Sequence, residues 1–446
     1  VADGRKSKDH EQRSSGQGYR EADPGKGLLM FENIIGQRGT VETLRAELSR
    51  GSYPRSALFF GPLYSGKLSA ALEAARVLTC KEGTAEWTCE CSSCRSQKEL
   101  SHPYTVLLGS RYWDVEIAAC ADSLLRNRKP ASQYLFLRAV RKLTRRFDTV
   151  VWDAEEARVR AAQEKVAGIE EMLLDLAPGK EPPAQKQLAG LLEGVIESCV
   201  QLAGLGRAEA ISVGQIRRLS AWAHLTAGDS RKVAILENVD RMQDSARNAL
   251  LKLLEEPPAA VHLVALSTRR AAIIPTILSR LRPYPFEQRN AADEADVLAK
   301  IFREEAGRFD GLRSYFLAWK EINAEKLSSL SRTFMEAVVS PEESDTDILA
   351  GLSDIIPSDR RGARDRNQKE AVVSFLEELT LRFQEPLRRK AVSLDTLEEW
   401  AGAVREGMLR VEAYNMSPAT VVEALYLRMR DAVRREARDP GGEAAS

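Results

Sequence analysis

The sequence predicts an α/β fold up to about Phe286, a parallel sheet built around a phosphate-binding loop, with helices alone thereafter. Three observations carry this. Short apolar runs at Ser56-Ala-Leu-Phe-Phe60, Lys232-Val-Ala-Ile-Leu236 and Val261-His-Leu-Val-Ala-Leu266 alternate with segments of helical spacing, the pattern of strands covered on both faces. A glycine-rich turn, Gly61-Pro-Leu-Tyr-Ser-Gly66-Lys67, follows the first run and opens a helix. After Phe286 the strand signals stop, and apolar residues recur only at helical intervals.

Taken in order, residues 1–29 are polar and aperiodic and are expected to form a disordered tail, with order from about Met30. Helical spacing covers Val41–Leu48, and Leu68–Leu78 follows the glycine-rich turn. The stretch from about 105 to 208 breaks the alternation and reads as a helical insertion, interrupted at Ala177-Pro-Gly-Lys-Glu-Pro-Pro183. Helices at Ile211–Leu225 and Asp244–Leu254 precede the two later strands. The expected domains are 30–289 for the sheet domain, 290–345 for a small helical lid and 346–438 for an all-α C-terminal domain. A tail at 439–446 closes the chain.

The 446 residues need more than one core. Lys+Arg and Asp+Glu each number 65, so the net charge is zero and a uniformly basic nucleic-acid coat is excluded. No stretch reaches the roughly 18 uninterrupted apolar residues of a membrane span, and residues 1–29 lack the apolar core of a signal peptide. The expected compartment is the cytosol, with no membrane partner. Arg126–Arg146 holds eight Lys or Arg and no acid. It reads either as a binding helix or, preferably, as a solvated basic face balanced by the acidic segment 153–175.

The turn at 61–67 can wrap phosphates with backbone N–H groups, because glycine permits close approach. The following helix N-terminus adds partial positive charge and Lys67 a full one. Gly61, Ser65, Gly66 and Lys67 are therefore the expected nucleotide-binding residues. Magnesium needs a hydroxyl immediately after the lysine, where this chain has Leu68; Ser69 points about 100° away around the helix. At the end of the strand 232–236, Glu237 offers a carboxylate, but Asn238 stands where a general base belongs, and a carboxamide has no useful proton affinity. ATP and Mg²⁺ have a degenerate site here, and hydrolysis by the chain alone is not expected.

Of six cysteines, four form Cys80-x8-Cys89-x-Cys91-x2-Cys94. In a reducing compartment that spacing reads as closed tetrahedral Zn²⁺ with a structural role. Only Glu90 separates Cys89 from Cys91, which tightens the chelate. Cys120 and Cys199 lie within apolar helical patterns and read as core residues.

These residues, with Phe31-Glu-Asn-Ile-Ile-Gly-Gln37, His102-Pro103, Ile211-Ser-Val-Gly-Gln-Ile-Arg217, Asn248-Ala-Leu-Leu-Lys-Leu-Leu-Glu-Glu-Pro-Pro258 and Pro275-Thr-Ile-Leu-Ser-Arg280, carry a family resemblance. The chain resembles the gamma/tau and delta-prime subunits of the bacterial DNA polymerase III clamp loader, members of the AAA+ superfamily. The resemblance covers about 31–104 and 211–286. It implies an AAA+ P-loop domain with a zinc module at 80–94, a helical lid and an all-α C-terminal collar for oligomerisation.

The resemblance further implies that Arg280, with Leu281 in place of the family's cysteine, is a finger acting in trans in a neighbour's ATP site. Ser267 or Thr268, with Thr268 preferred, would sense the γ-phosphate, and Arg313 would be the lid's arginine. The implied partners are gamma/tau and delta in a hetero-oligomer, the sliding clamp, and primer-template DNA through the assembled complex. An intact finger beside an impaired phosphate site fits the delta-prime role. The alternatives are a gamma/tau-like ATPase motor and a zinc- and helix-based interaction protein using the basic 126–146 face.

Overall fold

A computed structural model describes residues 30–83, 85–109, 113–152, 157–205, 210–226, 228, 230–340, 351, 364–412 and 416–438. The expected tails and most of 341–363, including the boundary at 345, lie outside them. In chain order the elements begin with α1 (Arg38–Ser49), β1 (Ser56–Phe60), α2 (Lys67–Thr79), α3 (Ser92–Lys98) and β2 (Thr105–Leu108). Four helices follow: α4 (Asp114–Asn127), α5 (Pro130–Thr144), α6 (Ala157–Leu173) and α7 (Gln185–Leu205). Next come α8 (Val213–His224), β3 (Lys232–Leu236), α9 (Asp244–Glu255), β4 (Val261–Ser267), α10 (Pro275–Leu278) and β5 (Arg282–Pro285). The remainder is helical: α11 (Ala291–Val297), α12 (Leu312–Trp319), α13 (Ala324–Val339), α14 (Arg364–Arg382), α15 (Gln384–Arg388), α16 (Leu394–Glu412) and α17 (Pro418–Arg438).

The chain divides into two units, one made of residues up to Leu108 with Val213–Gln288, the other of Gly109–Ser212 with residues from Arg289 on. In the first unit the five strands form one parallel sheet in the order β2-β3-β4-β1-β5. Every residue of β3 and β4 is buried, which is why these strands are mainly apolar rather than alternating. Phe59, Leu72, Ile235, Val264 and Tyr284 share the core on one side with Leu68 of α2.

Two strands depart from the expectation. Thr105–Leu108 was expected to begin the helical insertion but is β2, paired with β3 from Thr105↔Val233 to Leu108↔Leu236. Four residues carry too short a period to separate strand from buried helix. β5 contains Pro283 and Pro285 and exposes three of its four residues, which an edge position tolerates because one side of the strand needs no ladder donors.

In the second unit α4, α5, α6 and α7 pack together. By length and composition α7 is apolar enough to cross a membrane, alone among the described helices. Its stripe of Leu188, Leu192, Val195, Cys199 and Leu202 is buried, however, so the apolarity serves this helical core. Cys120 is buried as well, and burial together with Glu170 pushes the Cys199 thiol up to about 12.

Four bases of the basic segment form ion pairs with nearby carboxylates. Arg126 pairs with Asp122 and with the buried Glu304, both at 2.6 Å, and Arg141 with Glu170 at 2.8 Å. Lys142 pairs with Glu116, and Arg145 with Asp148 at 3.2 Å. Of these partners only Glu170 comes from the acidic segment, and Lys142 and Arg146 are buried rather than solvated.

The C-terminal helices of this unit share a core of Leu327, Phe334, Phe375, Trp400, Leu425 and Met429. Helix α13, expected in the lid, thus packs with the helices that follow residue 364. Arg313 of α12 is paired with Glu378 of α14 at 2.8 Å, so its charge is engaged in joining helices.

Candidate nucleotide site and cysteine cluster

The expected phosphate loop forms between β1 and α2. Gly66 (φ 90°) is the N-cap of α2 and turns the chain into the helix, a conformation that glycine adopts without the penalty of a Cβ. Gly61 (φ 151°) has a different reason: a Cβ there would lie 2.0 Å from the Phe286 carbonyl oxygen. Tyr64 sits at φ 59°, which costs a residue with a Cβ about 1–2 kcal/mol, and with Leu63 it leaves an exposed apolar loop tip. Ser65 is buried, and its Oγ donates to the Pro62 carbonyl at 2.8 Å. The Lys67 ammonium donates to the carbonyl of Gly61 at 2.7 Å, to that of Pro62, and to Ser65 Oγ at 3.2 Å. To meet a phosphate, Lys67 must exchange these loop oxygens for it. Leu68 is 5% exposed and belongs to the core, so the magnesium position holds a methyl-bearing side chain turned inward.

The other expected residues of this site lie on the same carboxyl edge of the sheet. Phe60 is level with Ser267 on the neighbouring strand, and the Gly61 N–H donates to the Ser267 carbonyl at 3.2 Å. Thr268 therefore starts beside the phosphate loop. Glu237 follows β3, two strands from β1, or roughly 10 Å at the usual strand spacing. Asn238 has φ 55°; a carboxamide tolerates this left-handed turn, which gives Asn238 a backbone reason alongside its lack of basicity.

Ser267 and Thr268 separate cleanly. Ser267 is buried, and its Oγ donates to Asp240 Oδ1 at 2.8 Å while accepting the Arg269 N–H at 2.9 Å. Asp240, with a side chain 1% exposed, also pairs with Arg269 at 3.2 Å. Ser267 is thus consumed by a structural network that the sequence did not reveal, and Thr268 is its half-buried neighbour just past the end of β4.

Arg280 lies elsewhere. It follows α10 and precedes β5, whose first residue Arg282 is level with Ala57 near the start of β1. The phosphate loop begins where β1 ends, so Arg280 stands at the amino edge of the sheet and Lys67 at the carboxyl edge. The Arg280 guanidinium donates to Glu255 Oε1 and to the Thr276 carbonyl, each at 2.8 Å, with about a third of the side chain exposed (35%). Leu281 beside it is buried.

The four clustered cysteines converge. Cys80 caps the C-terminus of α2, Cys91 is the N-cap of α3, and Cys94 lies in the first turn of α3. All four Sγ atoms lie within 4.8 Å of one another, and Cys80 and Cys89 are 3.8 Å apart. Tetrahedral zinc with bonds of about 2.3 Å sets its sulfurs roughly 3.8 Å apart, so the set fits the ion despite the one-residue spacer. The hydrogen bond from Cys94 pulls the Cys80 thiol down to about 4, toward the thiolate that ligates metal, and the same bond pushes Cys94 up. His102 is not part of the cluster: Nδ1 accepts the Tyr104 N–H at 3.2 Å, leaving Nε2–H for Ser93 Oγ at 3.0 Å.

Residues 186–290 match the family model described as DNA polymerase III, delta subunit. A DNA polymerase III subunit gamma/tau of Mycobacterium tuberculosis is 32% identical over 123 residues, covering 25% of this chain and 21% of that protein. A DNA polymerase III subunit delta' of Pseudomonas aeruginosa is 36% identical over 96 residues, covering 21% of this chain and 29% of that protein. The chain thus matches well under two thirds of each relative's own length. A gamma subunit-related protein of Thermotoga maritima aligns over 51% of this chain and 81% of its own at 19% identity, with a TM-score of 0.26, too low to bear on the fold. Over these matched stretches, the chain is similar to DNA polymerase III subunits of the gamma/tau and delta-prime type.

Proposed function

We propose that this chain is a delta-prime-like subunit of a DNA polymerase III clamp loader. It joins gamma/tau and delta in a cytosolic hetero-oligomer, helps to load the sliding clamp onto primed DNA, and supplies Arg280 to the ATP site of a neighbouring subunit. Zinc at Cys80, Cys89, Cys91 and Cys94 is structural, and the helices after 346 form the oligomerisation collar. The observation that carries this reading is the separation of Arg280 from the chain's own phosphate loop. Across five residues of β1 at about 3.3 Å each, the two sheet edges lie more than 10 Å apart, so Arg280 is a poor partner for Lys67 and a good one for a site outside the chain. There its fixed charge stabilises the transferring phosphoryl group.

The ion pair with Glu255 is no obstacle. With side chains 35% and 50% exposed, such a pair contributes roughly 0–1 kcal/mol, so release to a triphosphate costs little. Leu68 and Asn238 weaken the chain's own hydrolysis at both the metal and the base. Purified chain supplied with Mg²⁺ and ATP is expected to show no turnover above background, while binding gamma/tau and delta in a pull-down. A second reading, a gamma/tau-like motor, is favoured by the intact Gly61, Gly66 and Lys67; magnesium-dependent turnover by the chain alone would select it. The interaction-protein reading is disfavoured by the ion pairs that Arg126, Arg141, Lys142 and Arg145 of the 126–146 segment make within their own unit.

A further inference from the structure

Helix α2 carries the phosphate loop at one end and, at the other, Cys80 of the cysteine cluster. Between them Glu73 and Arg76, one turn apart, form an ion pair at 2.6 Å with side chains only 2% and 1% exposed. A guanidinium has five N–H groups, and each has an acceptor here. Nε and one Nη2 proton go to Glu73, at 3.0 and 2.6 Å, and the other Nη2 proton to the Ala85 carbonyl at 2.6 Å. Nη1 serves the Glu86 carbonyl at 2.9 Å and the Cys94 sulfur at 3.3 Å. The Trp87 ring lies against the same guanidinium at 5.6 Å, and the Lys98 ammonium against that ring at 5.3 Å. A buried ion pair is a weak stabiliser relative to apolar packing, so a buried pair with every donor engaged points to positioning.

We infer that Arg76 locks the cysteine cluster onto the phosphate-loop helix: it holds the Cys94 sulfur and the 85–86 backbone against α2, so that metal binding and the order of α2 are coupled. Four thiolates around Zn²⁺ leave a net negative charge, and an N–H donor on one sulfur both offsets that charge and fixes the ligand's orientation. The inference rests on the reading of the cluster as a zinc site.

The test uses the full chain. Zinc content and affinity, the latter by competition with a chromogenic chelator, are measured for wild type and for the paired variant Glu73→Met/Arg76→Met. That variant removes both charges together and leaves no unpaired carboxylate in the core. The expected result is stoichiometric zinc in both, with affinity 10- to 100-fold lower in the folded variant, the range seen when such outer partners are lost. In wild type, chelation should also speed amide hydrogen exchange across residues 72–79, which decides the matter even if the variant does not fold. Unchanged affinity in a folded variant, or exchange at 72–79 indifferent to zinc, overturns the lock alone. A wild-type chain that binds no zinc overturns the metal reading and the lock with it.

Discussion

At the scale of single residues, neighbours with similar chemistry have divergent tasks. Ser267 is bound to Asp240 inside the fold, whereas Thr268, half-buried, follows β4 beside the phosphate loop. Replacing Ser267 with Ala leaves a buried carboxylate short of one donor, and a loss of about 1–3 kcal/mol is expected in urea unfolding. Thr268→Val should stay within roughly 0.5 kcal/mol of wild type while weakening nucleotide binding, read by titration with a fluorescent ATP analogue. Gly61→Ala is expected to be severely destabilising, since the added methyl would meet the Phe286 carbonyl at 2.0 Å; a thermal melt checks it. Leu68 and Asn238 were legible because a motif fixes what each position must supply. Asp240 and Arg76 were not, because a charged residue in a helix or turn reads as surface until its neighbours in space are known.

At the scale of elements, the same distinction separates the strands. β1, β3 and β4 were readable as short, mainly apolar runs without polar alternation, as strands covered on both faces need. β2 escaped through brevity, and β5 through the prolines of an edge. The central strand β4 also buries His262, whose Nδ1 donates to the Pro54 carbonyl at 3.0 Å beside the Tyr53 ring. Burial, aided by the charges of Arg231 and Arg55, pushes its pKa down to about 4 from 6.5. Between those values the unfolded chain binds the extra proton and the folded one does not. The stabilisation is therefore full above pH 6.5 and is lost as the pH falls toward 4, by at most about 3 kcal/mol. Urea midpoints measured from pH 7 to pH 4.5 should fall more steeply for wild type than for His262→Phe; parallel profiles would show that His262 does not contribute.

At the scale of the whole molecule, a phosphate loop with Leu68 at the metal position and Asn238 at the base position lies on the edge of the sheet opposite Arg280. The fold class and the four-cysteine centre were legible in the sequence, because both depend on short local patterns. The grouping of the 109–212 helices with the C-terminal half was not, because packing between distant segments leaves no periodic trace in either one. The ion pairs of Arg126, Arg141, Lys142 and Arg145 were legible only as a balance of charges, and the partners Glu116, Glu304 and Asp148 came from packing. On the proposed function, this chain contributes to catalysis in a site that is not its own. The direct measurement is steady-state ATP turnover of a clamp loader reconstituted with gamma/tau and delta, comparing wild type with Arg280→Ala in complexes of matched composition. An arginine finger contributes on the order of 10³-fold or more at the site it serves, so a marked fall in turnover with assembly intact is expected; an unchanged rate would rule out the finger role of Arg280.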